Sequence, residues 1–355
     1  MRKALCLAER GRGRTSPNPM VGAVIVDDEG VVIGRGSHEA AGGPHAEVHA
    51  LRDAGARARG ATLYSTLEPC SHSGRTGPCA PLVAGAGIRR AVIATRDPNP
   101  VASGGGEHLR RQGIAVTFGV LAPEAQRLNE PFFSLVTRGR PYVTMKVALS
   151  LDGCIGGAGG MPIALTGGPA HRVVHRERAE TDALAVGSGT VVSDDPSLTP
   201  RVAYRARPLT RIVFDGRLRT PPGARLFTTL DAGPVIIVTA EQSVDHGSRA
   251  AAALVDAGAT LLPIDPPRSL EAALRAIAAR GISSLIVEGG AELHRAFWDG
   301  GWVDRVQIFV AARVVGPGGT GWVQAPVMSS GLVTDCTARP VGEDVLLEGY
   351  VHRTH

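Results

Sequence analysis

The segment Pro44-His45-Ala46-Glu47 is followed, one helix and one strand later, by Thr66-Leu67-Glu68-Pro69-Cys70 and then by Pro78-Cys79. A fold that brings these three segments to one point acquires a set of metal ligands, and few chain paths allow it. One His and two Cys give Zn²⁺ three ligands and leave its fourth tetrahedral position for water, whose pKa then falls toward neutrality. Two thiolates cancel the charge of the ion while a neutral His45 adds none, so the site can be shielded from solvent. Glu47, two residues after the His, is placed to carry a proton from the water to a departing amine. A lone His is more often a surface or core residue than a ligand. The order of the residues, the Glu offset and the proline before each cysteine point instead to a catalytic zinc site, one ion per chain, held by His45, Cys70 and Cys79. A structural zinc would more usually show four protein ligands.

The cysteine spacing is long: eight residues, Ser71 to Pro78, stand where a zinc-deaminase signature usually has two. This polar loop offers His72, Arg75 and several hydroxyls to a sugar or phosphate, although each alone also suits a solvated Gly-rich turn.

At 355 residues the chain exceeds the usual size of one core, and 43% apolar with 20% charged residues is a globular composition, so two domains are expected. No stretch approaches the roughly 20 apolar residues that span a bilayer. The start, Met1-Arg2-Lys3-Ala4-Leu5-Cys6, reads as an amphipathic first helix instead of a signal peptide, which predicts a cytoplasmic protein. Of five cysteines two are claimed by zinc, and the scattered Cys6, Cys154 and Cys336 imply no disulfide framework. The net charge of +5 fits anionic small molecules at least as well as nucleic acid, and 4% aromatic residues leave few platforms for stacking bases.

In the first half, residues 21–26 and 31–34 read as a hairpin around Asp28-Glu29-Gly30 and residues 47–54 as a helix between Pro44 and Gly55. Residues 61–67 form a strand running into Cys70, with further strands at 91–95 and 114–118. The ligands then sit at the starts of two helices, where thiolates are favoured. Glu130-Pro131 through Gly139-Arg140-Pro141 breaks the pattern and marks a boundary, giving a zinc-dependent deaminase domain over 1–138 and a second domain over 139–355. In the latter, strands at 142–149, 183–186, 211–214, 235–239, 260–264, 284–288 and 306–312 alternate with helices, the pattern of a mostly parallel α/β sheet. Val287-Glu288-Gly289-Gly290-Ala291 leaves a strand and enters a helix, a geometry that can hold a dinucleotide phosphate, although the spacing G-x-G-x-x-G is absent.

Ser16-Pro17-Asn18-Pro19-Met20-Val21-Gly22, the segment Gly43 to Leu51, Thr66 to His72 with Gly74-Arg75-Thr76, and Asp97-Pro98-Asn99-Pro100 resemble the deaminase half of the bifunctional riboflavin-biosynthesis deaminase/reductase family, long cysteine spacing included. The resemblance continues through Lys146, Ser150-Leu151-Asp152-Gly153, Gly189-Thr190-Val191, Asp194-Asp195-Pro196, Leu198-Thr199 and Val287-Glu288-Gly289-Gly290, and so covers nearly the whole chain. It implies an α/β protein with an N-terminal cytidine-deaminase-like three-layer domain followed by a dihydrofolate-reductase-like α/β domain that uses NADPH. It also implies deamination of 2,5-diamino-6-(5-phosphoribosylamino)pyrimidin-4(3H)-one at zinc, then reduction of its ribosyl group to ribityl. Carried over by position, Lys146 and Glu288 stand near the reacting sugar carbon, and Ala148, Ala164, Thr190, Asp194, Gly216 and Gly290 face the cofactor. Asn18, His38, His72 and Arg75 face the deaminase substrate, and Pro162, Arg178, Leu198 and Arg201, with Glu288, face the reductase substrate.

The second half departs from the family pattern. Pro162 and Ala164 replace a Ser and a Trp, and Gly216 replaces a Ser. The first two changes remove a hydroxyl and a stacking surface worth about 1 kcal/mol each. Glu292-Leu293-His294-Arg295 replaces small, uncharged residues after the Gly-Gly turn. A carboxylate there repels a pyrophosphate by several kcal/mol if shielded from water and by little if exposed. Competing readings are a deaminase with a degenerate or retargeted second half, a nucleic-acid or nucleoside deaminase, and a non-catalytic zinc module. The long inter-cysteine loop and the appended sheet weigh against nucleic acid, and Glu47 weighs against a structural site. The expected partner is a small phosphoribosylated pyrimidine, with no nucleic acid and no membrane; a homo-oligomer is compatible.

Overall fold

Strands buried on both faces account for the short apolar runs of the first half. The computed structural model describes residues 1–71, 77–244, 248–266, 269–323, 327 and 331–351, in two units, Met1–Arg140 and Pro141–His355. In the first, strands β1 (Gly22–Val26), β2 (Val32–Ser37), β3 (Thr62–Leu67), β4 (Arg90–Thr95) and β5 (Ala115–Phe118) form a sheet in the order β2-β1-β3-β4-β5. The β2-β1-β3 part is antiparallel and the β3-β4-β5 part parallel. Alternation along β1 sends Val24 to one face, against Ala4 and Leu7 of helix α1 (Arg2–Ala8). Ala23 and Ile25 go to the other face, against Ala46 and Ala50 of α2 (Ala46–Ala54). Helices α3 (Cys79–Gly85), α4 (Gly105–Arg111), α5 (Ala122–Leu128) and α6 (Glu130–Arg138) complete three layers.

The expectation that Glu130-Pro131 interrupts the fold is corrected here, because α6 runs through it. Pro131 sits in the first helical turn, where its missing N–H would have had no partner, and only Gly139, in the left-handed region at φ 63°, ends the helix.

The second unit contains β6 (Tyr142–Leu149), β7 (Cys154–Gly156), α7 (Gly168–Glu180), β8 (Ala183–Gly187), α8 (Ser188–Asp194), β9 (Thr210–Phe214), β10 (Val235–Ala240) and α9 (Arg249–Asp256). It continues with β11 (Ala259–Ile264), α10 (Leu270–Ala278), β12 (Ser284–Val287), α11 (Ala291–Asp299), β13 (Arg305–Val310), β14 (Thr320–Gly321), β15 (Val333–Val341) and β16 (Asp344–Val351). Nine strands pair in the order β11-β10-β9-β8-β12-β6-β13-β16-β15, parallel through β13 as expected, with an antiparallel hairpin β15-β16 at the edge that the sequence pattern did not announce. Along β8, Ala183 and Ala185 face α10 and α11, while Leu184 and Val186 face α9. Helices therefore cover both faces of the parallel part. Strand β7 pairs with β14 in a separate small flap.

The position of α2, which carries Glu47, depends on a close approach to β2. A Cβ on Gly36 would lie 2.0 Å from Ala46 O and 2.6 Å from Ala50 N, both backbone atoms that cannot move independently. Gly36→Ala is expected to cost about 2–3 kcal/mol and to lower zinc content by displacing the start of α2. Urea unfolding and metal analysis of the same sample check this, and an unchanged urea midpoint with normal zinc content would overturn it.

Candidate active sites

His45 is the residue immediately before α2 and Cys79 the first residue of α3, while Cys70 follows the end of β3. Their ligand atoms all lie within 4.8 Å of one another. His45 Nδ1 is 3.2 Å from Cys79 Sγ and 3.5 Å from Cys70 Sγ. Tetrahedral zinc with Zn–N near 2.0 Å and Zn–S near 2.3 Å separates nitrogen from sulfur by about 3.6 Å, so the donor set fits the ion. Cys79 N donates to Cys70 Sγ at 3.3 Å, which favours a thiolate. Hydrogen bonding with Cys79 first, then with His45, brings the Cys70 thiol down to about 4, and the same bond followed by burial pushes Cys79 up. Two bare thiolates so close would repel each other, and a dication is the group that would relieve that repulsion. Glu47 is buried beside them, and burial pushes its carboxyl up to about 7.

A cleft of 360 Å³ opens onto these residues and is lined also by Asn18, His38, Asp97 and Phe132. His38 Nδ1 lies 3.1 Å from Pro44 O and must donate to it, so Nε2 accepts from Asn18 Nδ2 at 3.3 Å and the imidazole is neutral. Its ring stands edge-on to His45, with centroids 5.4 Å apart. Two supports were not legible in the sequence. Asn129 holds both backbone groups of Met20, accepting from its N at 2.7 Å and donating to its O at 2.9 Å, and thereby fixes the segment that carries Asn18. Buried Glu68 accepts from Gly106 N at 2.9 Å and Asp97 N at 3.2 Å, drawing that loop to the cleft. His72 and Arg75 lie outside the described residues.

In the second unit, Glu288 leaves β12 beside Lys146 of the neighbouring β6. Arg178 of α7 grips it with two bonds, Nε to Oε1 at 2.9 Å and Nη2 to Oε2 at 2.6 Å. Burial would raise the Glu288 carboxyl, but Arg178 and Lys146 outweigh it and hold the group at about 2. Burial lowers the Lys146 ammonium, only partly opposed by Glu288. Arg178 Nη1 also reaches Thr199 O at 3.4 Å, and buried His175 accepts from Arg201 N at 3.2 Å, so the segment bearing Leu198 and Arg201 is tied to α7. Leu198 itself is buried in the apolar core and Arg201 is exposed.

A second cleft, of 600 Å³, lies along the ends of β8, β9 and β10 and the start of α11. It unites Thr190, Gly216 and Gly290, and adds Ser188, Arg217 and Arg219, which sequence reasoning missed despite the alternating arginines after Gly216. A Cβ on Gly289 would stand 2.8 Å from Val186 Cα, so only glycine lets the turn rest on the end of β8. Size, forked guanidiniums and the glycine turn suit a dinucleotide phosphate cofactor. Ala148, Pro162, Ala164 and Asp194 are not among the lining residues. Ala148 packs near Phe309 and α7, and the other three are exposed. Glu292 lines the cleft but is also exposed, so water screens it.

The family model described as the cytidine and deoxycytidylate deaminase zinc-binding region matches residues 1–95, and that of the RibD C-terminal domain matches residues 141–347. The riboflavin biosynthesis protein RibD of Aquifex aeolicus is 43% identical over 319 residues, 90% of this chain and 87% of that protein. Its counterpart in Escherichia coli K12 is 37% identical over 340 residues, 92% and 90% of the two chains. The solved diaminohydroxyphosphoribosylaminopyrimidine deaminase/5-amino-6-(5-phosphoribosylamino)uracil reductase of Thermotoga maritima is similar with a TM-score of 0.86 at 35% identity, covering 99% of this chain and 97% of that one. Acinetobacter baumannii RibD gives 0.85 at 33%, covering 99% and 98%.

About one zinc per chain is expected after mild dialysis, and Cys79→Ala should lose it; zinc retained in that variant would reject the ligand set. Because Glu292 is exposed, Glu292→Thr should tighten NADPH by no more than about threefold, and a tenfold gain in a fluorescence titration would show the carboxylate to be shielded.

Proposed function

Because the chain belongs to the RibD family of bifunctional riboflavin-biosynthesis deaminase/reductases, we propose that its own residues perform both steps on one phosphoribosylated pyrimidine. The substrate is 2,5-diamino-6-(5-phosphoribosylamino)pyrimidin-4(3H)-one, deaminated in the first unit and reduced at its ribosyl group in the second. The observation that carries this reading is the presence in one chain of a His/Cys/Cys cluster with a buried Glu beside it and of a dinucleotide-sized cleft near a half-buried Lys–Glu–Arg group. The protein is an enzyme of riboflavin biosynthesis with zinc and NADPH as cofactors. Among the described residues no helix is long and apolar enough to cross a membrane. Five free cysteines support placing it in the reducing cytoplasm.

In the first unit His45, Cys70 and Cys79 would hold zinc, which would supply a water acidic enough to attack at neutral pH. Glu47, its carboxylate fixed by burial at the start of α2, would accept a proton and pass it to the leaving amine. His38, oriented by Pro44 and Asn18, keeps the His45 ring from turning.

In the second unit NADPH, when bound, would supply the hydride for C1 of the opened sugar. Glu288, ionised throughout the working range, accepts hydrogen bonds and does not exchange protons. Lys146, its ammonium acidified by burial, is the donor that hands a proton from Nζ to the sugar oxygen released as the ring opens. Arg178 keeps Glu288 and the Thr199 segment in register.

Glu47→Gln should retain zinc and lose ammonia release by about a thousandfold, while reduction of the deaminated pyrimidine, supplied directly, continues unchanged. Ammonia and NADPH oxidation followed separately in wild type decide the larger question. Ammonia release without NADPH oxidation would leave a deaminase with a degenerate second half, and near-normal turnover of the variant would reject Glu47 as the proton carrier.

A further inference from the structure

His294 of α11 is one of the most deeply buried ionisable residues of the second unit, only 2% exposed, and neither proposed step uses it. Its Nδ1 lies 2.9 Å from Trp322 Nε1 and its Nε2 3.2 Å from Val287 O. An indole N–H only donates and a carbonyl only accepts, so Nδ1 must be bare and Nε2 must carry the proton. The two rings meet edge to face, with centroids 6.0 Å apart. On one side, then, His294 holds the residue immediately before Glu288 and the Gly289–Gly290 turn that lines the cofactor cleft.

On the other side, Trp322 belongs to the flap. Its own N donates to Gly153 O at 3.2 Å, directly after β14 pairs with β7. The flap is knitted by Asp152, which accepts from Val315 N at 3.0 Å, Gly316 N at 2.8 Å and Ser150 Oγ at 2.6 Å, and by Thr320 Oγ1, which donates to Gly157 O at 3.0 Å. Residues 157–165, with Pro162 and Ala164, continue from β7. The imidazole therefore joins two segments that are distant in sequence: the turn at the end of β12 and the flap that leads into residues 157–165.

We propose that His294 is a positioning residue for the reductive site, fastening the β7–β14 flap through Trp322 to the Glu288–Gly290 turn so that the two keep their spacing when NADPH enters. The inference rests on the NADPH reading of the second unit. The imidazole reaches back past the turn and so bonds both segments at once.

Three variants of the full-length protein separate the two bonds. His294→Asn places an amide oxygen near the position of Nδ1 and keeps the acceptor for Trp322. His294→Gln places an amide nitrogen near Nε2 and keeps the donor to Val287. His294→Phe fills the space with neither. NADPH dissociation constants, KM and kcat for reduction are measured together with ammonia release, which reports on the first unit and should stay within about twofold of wild type. His294→Phe should weaken NADPH by about tenfold, as expected for losing one well-placed hydrogen bond or two weaker ones, with a smaller fall in kcat, and Asn and Gln should each recover part of the affinity. Unchanged affinity in His294→Phe, or equal losses in all three variants, overturns the proposal. Nitrogen-15 spectra of labelled histidine in the wild-type protein give a test that survives any failure of a variant to fold: a neutral, Nε2-protonated ring with a hydrogen-bonded Nδ1 supports it, and an Nδ1–H or charged ring overturns it. Wild type that binds no NADPH defeats the cofactor reading instead, and the histidine spectra then decide the fastening by themselves.

Discussion

A charge taken out of water must be answered by another charge or by hydrogen bonds, and both halves of this chain are arranged around that requirement. In the first unit the groups are two thiols and an imidazole within 4.8 Å of one another, hydrogen-bonded among themselves. Two thiolates so close would repel each other, and a dication held by the three ligands would answer their charge. In the second unit the protein supplies both signs itself, with Glu288 between Arg178 and Lys146. Breaking such a pair costs about 3–5 kcal/mol, yet replacing it whole by apolar residues is often neutral. Its reason for existing is then chemical. It keeps one carboxylate ionised away from bulk water, while burial and Arg178 lower the neighbouring Lys146 ammonium against the pull of Glu288.

Both arrangements need scaffolding far from them in sequence. Asn129 grips Met20 from 109 residues away, and Glu68 reaches 38 residues to Gly106. Each satisfies backbone groups of a loop that would otherwise have to find water, and each holds that loop against the zinc cleft. Close packing does the rest: α2 can sit low enough to bring Glu47 beside the cysteines only because Gly34 and Gly36 leave its backbone room.

The deaminase site was legible because its groups are fixed by local geometry. His45 and Cys79 open helices, Cys70 follows closely after a strand, and each is marked by a proline one residue earlier. Strand and helix periods likewise gave the central parallel strands of the second sheet. What escaped was whatever depends on tertiary partners. The pairing of Arg178 with Glu288 spans 110 residues, and no pattern announces it. The edge hairpin β15-β16 has few buried positions on β15 to create a period. Pro131 misled for the opposite reason: proline breaks a helix interior but opens a helix without cost, and sequence alone does not say which of the two it does.

Exposure explains why the departures in the second half need not silence it. Pro162 and Ala164 stand where a hydroxyl and a large ring are usual, but both face solvent, so their replacement leaves no cavity and no orphaned polar atom. Gly216 is exposed on a cleft wall where Arg217 and Arg219 already supply forked donors. Glu292 is screened by water for the same reason. The groups that could not be changed so cheaply are the paired ones, Glu288 and Arg178, whose side chains are only 6% and 15% exposed, with half-buried Lys146 beside them. A buried charge has no solvent to compensate for a lost partner, whereas an exposed side chain has.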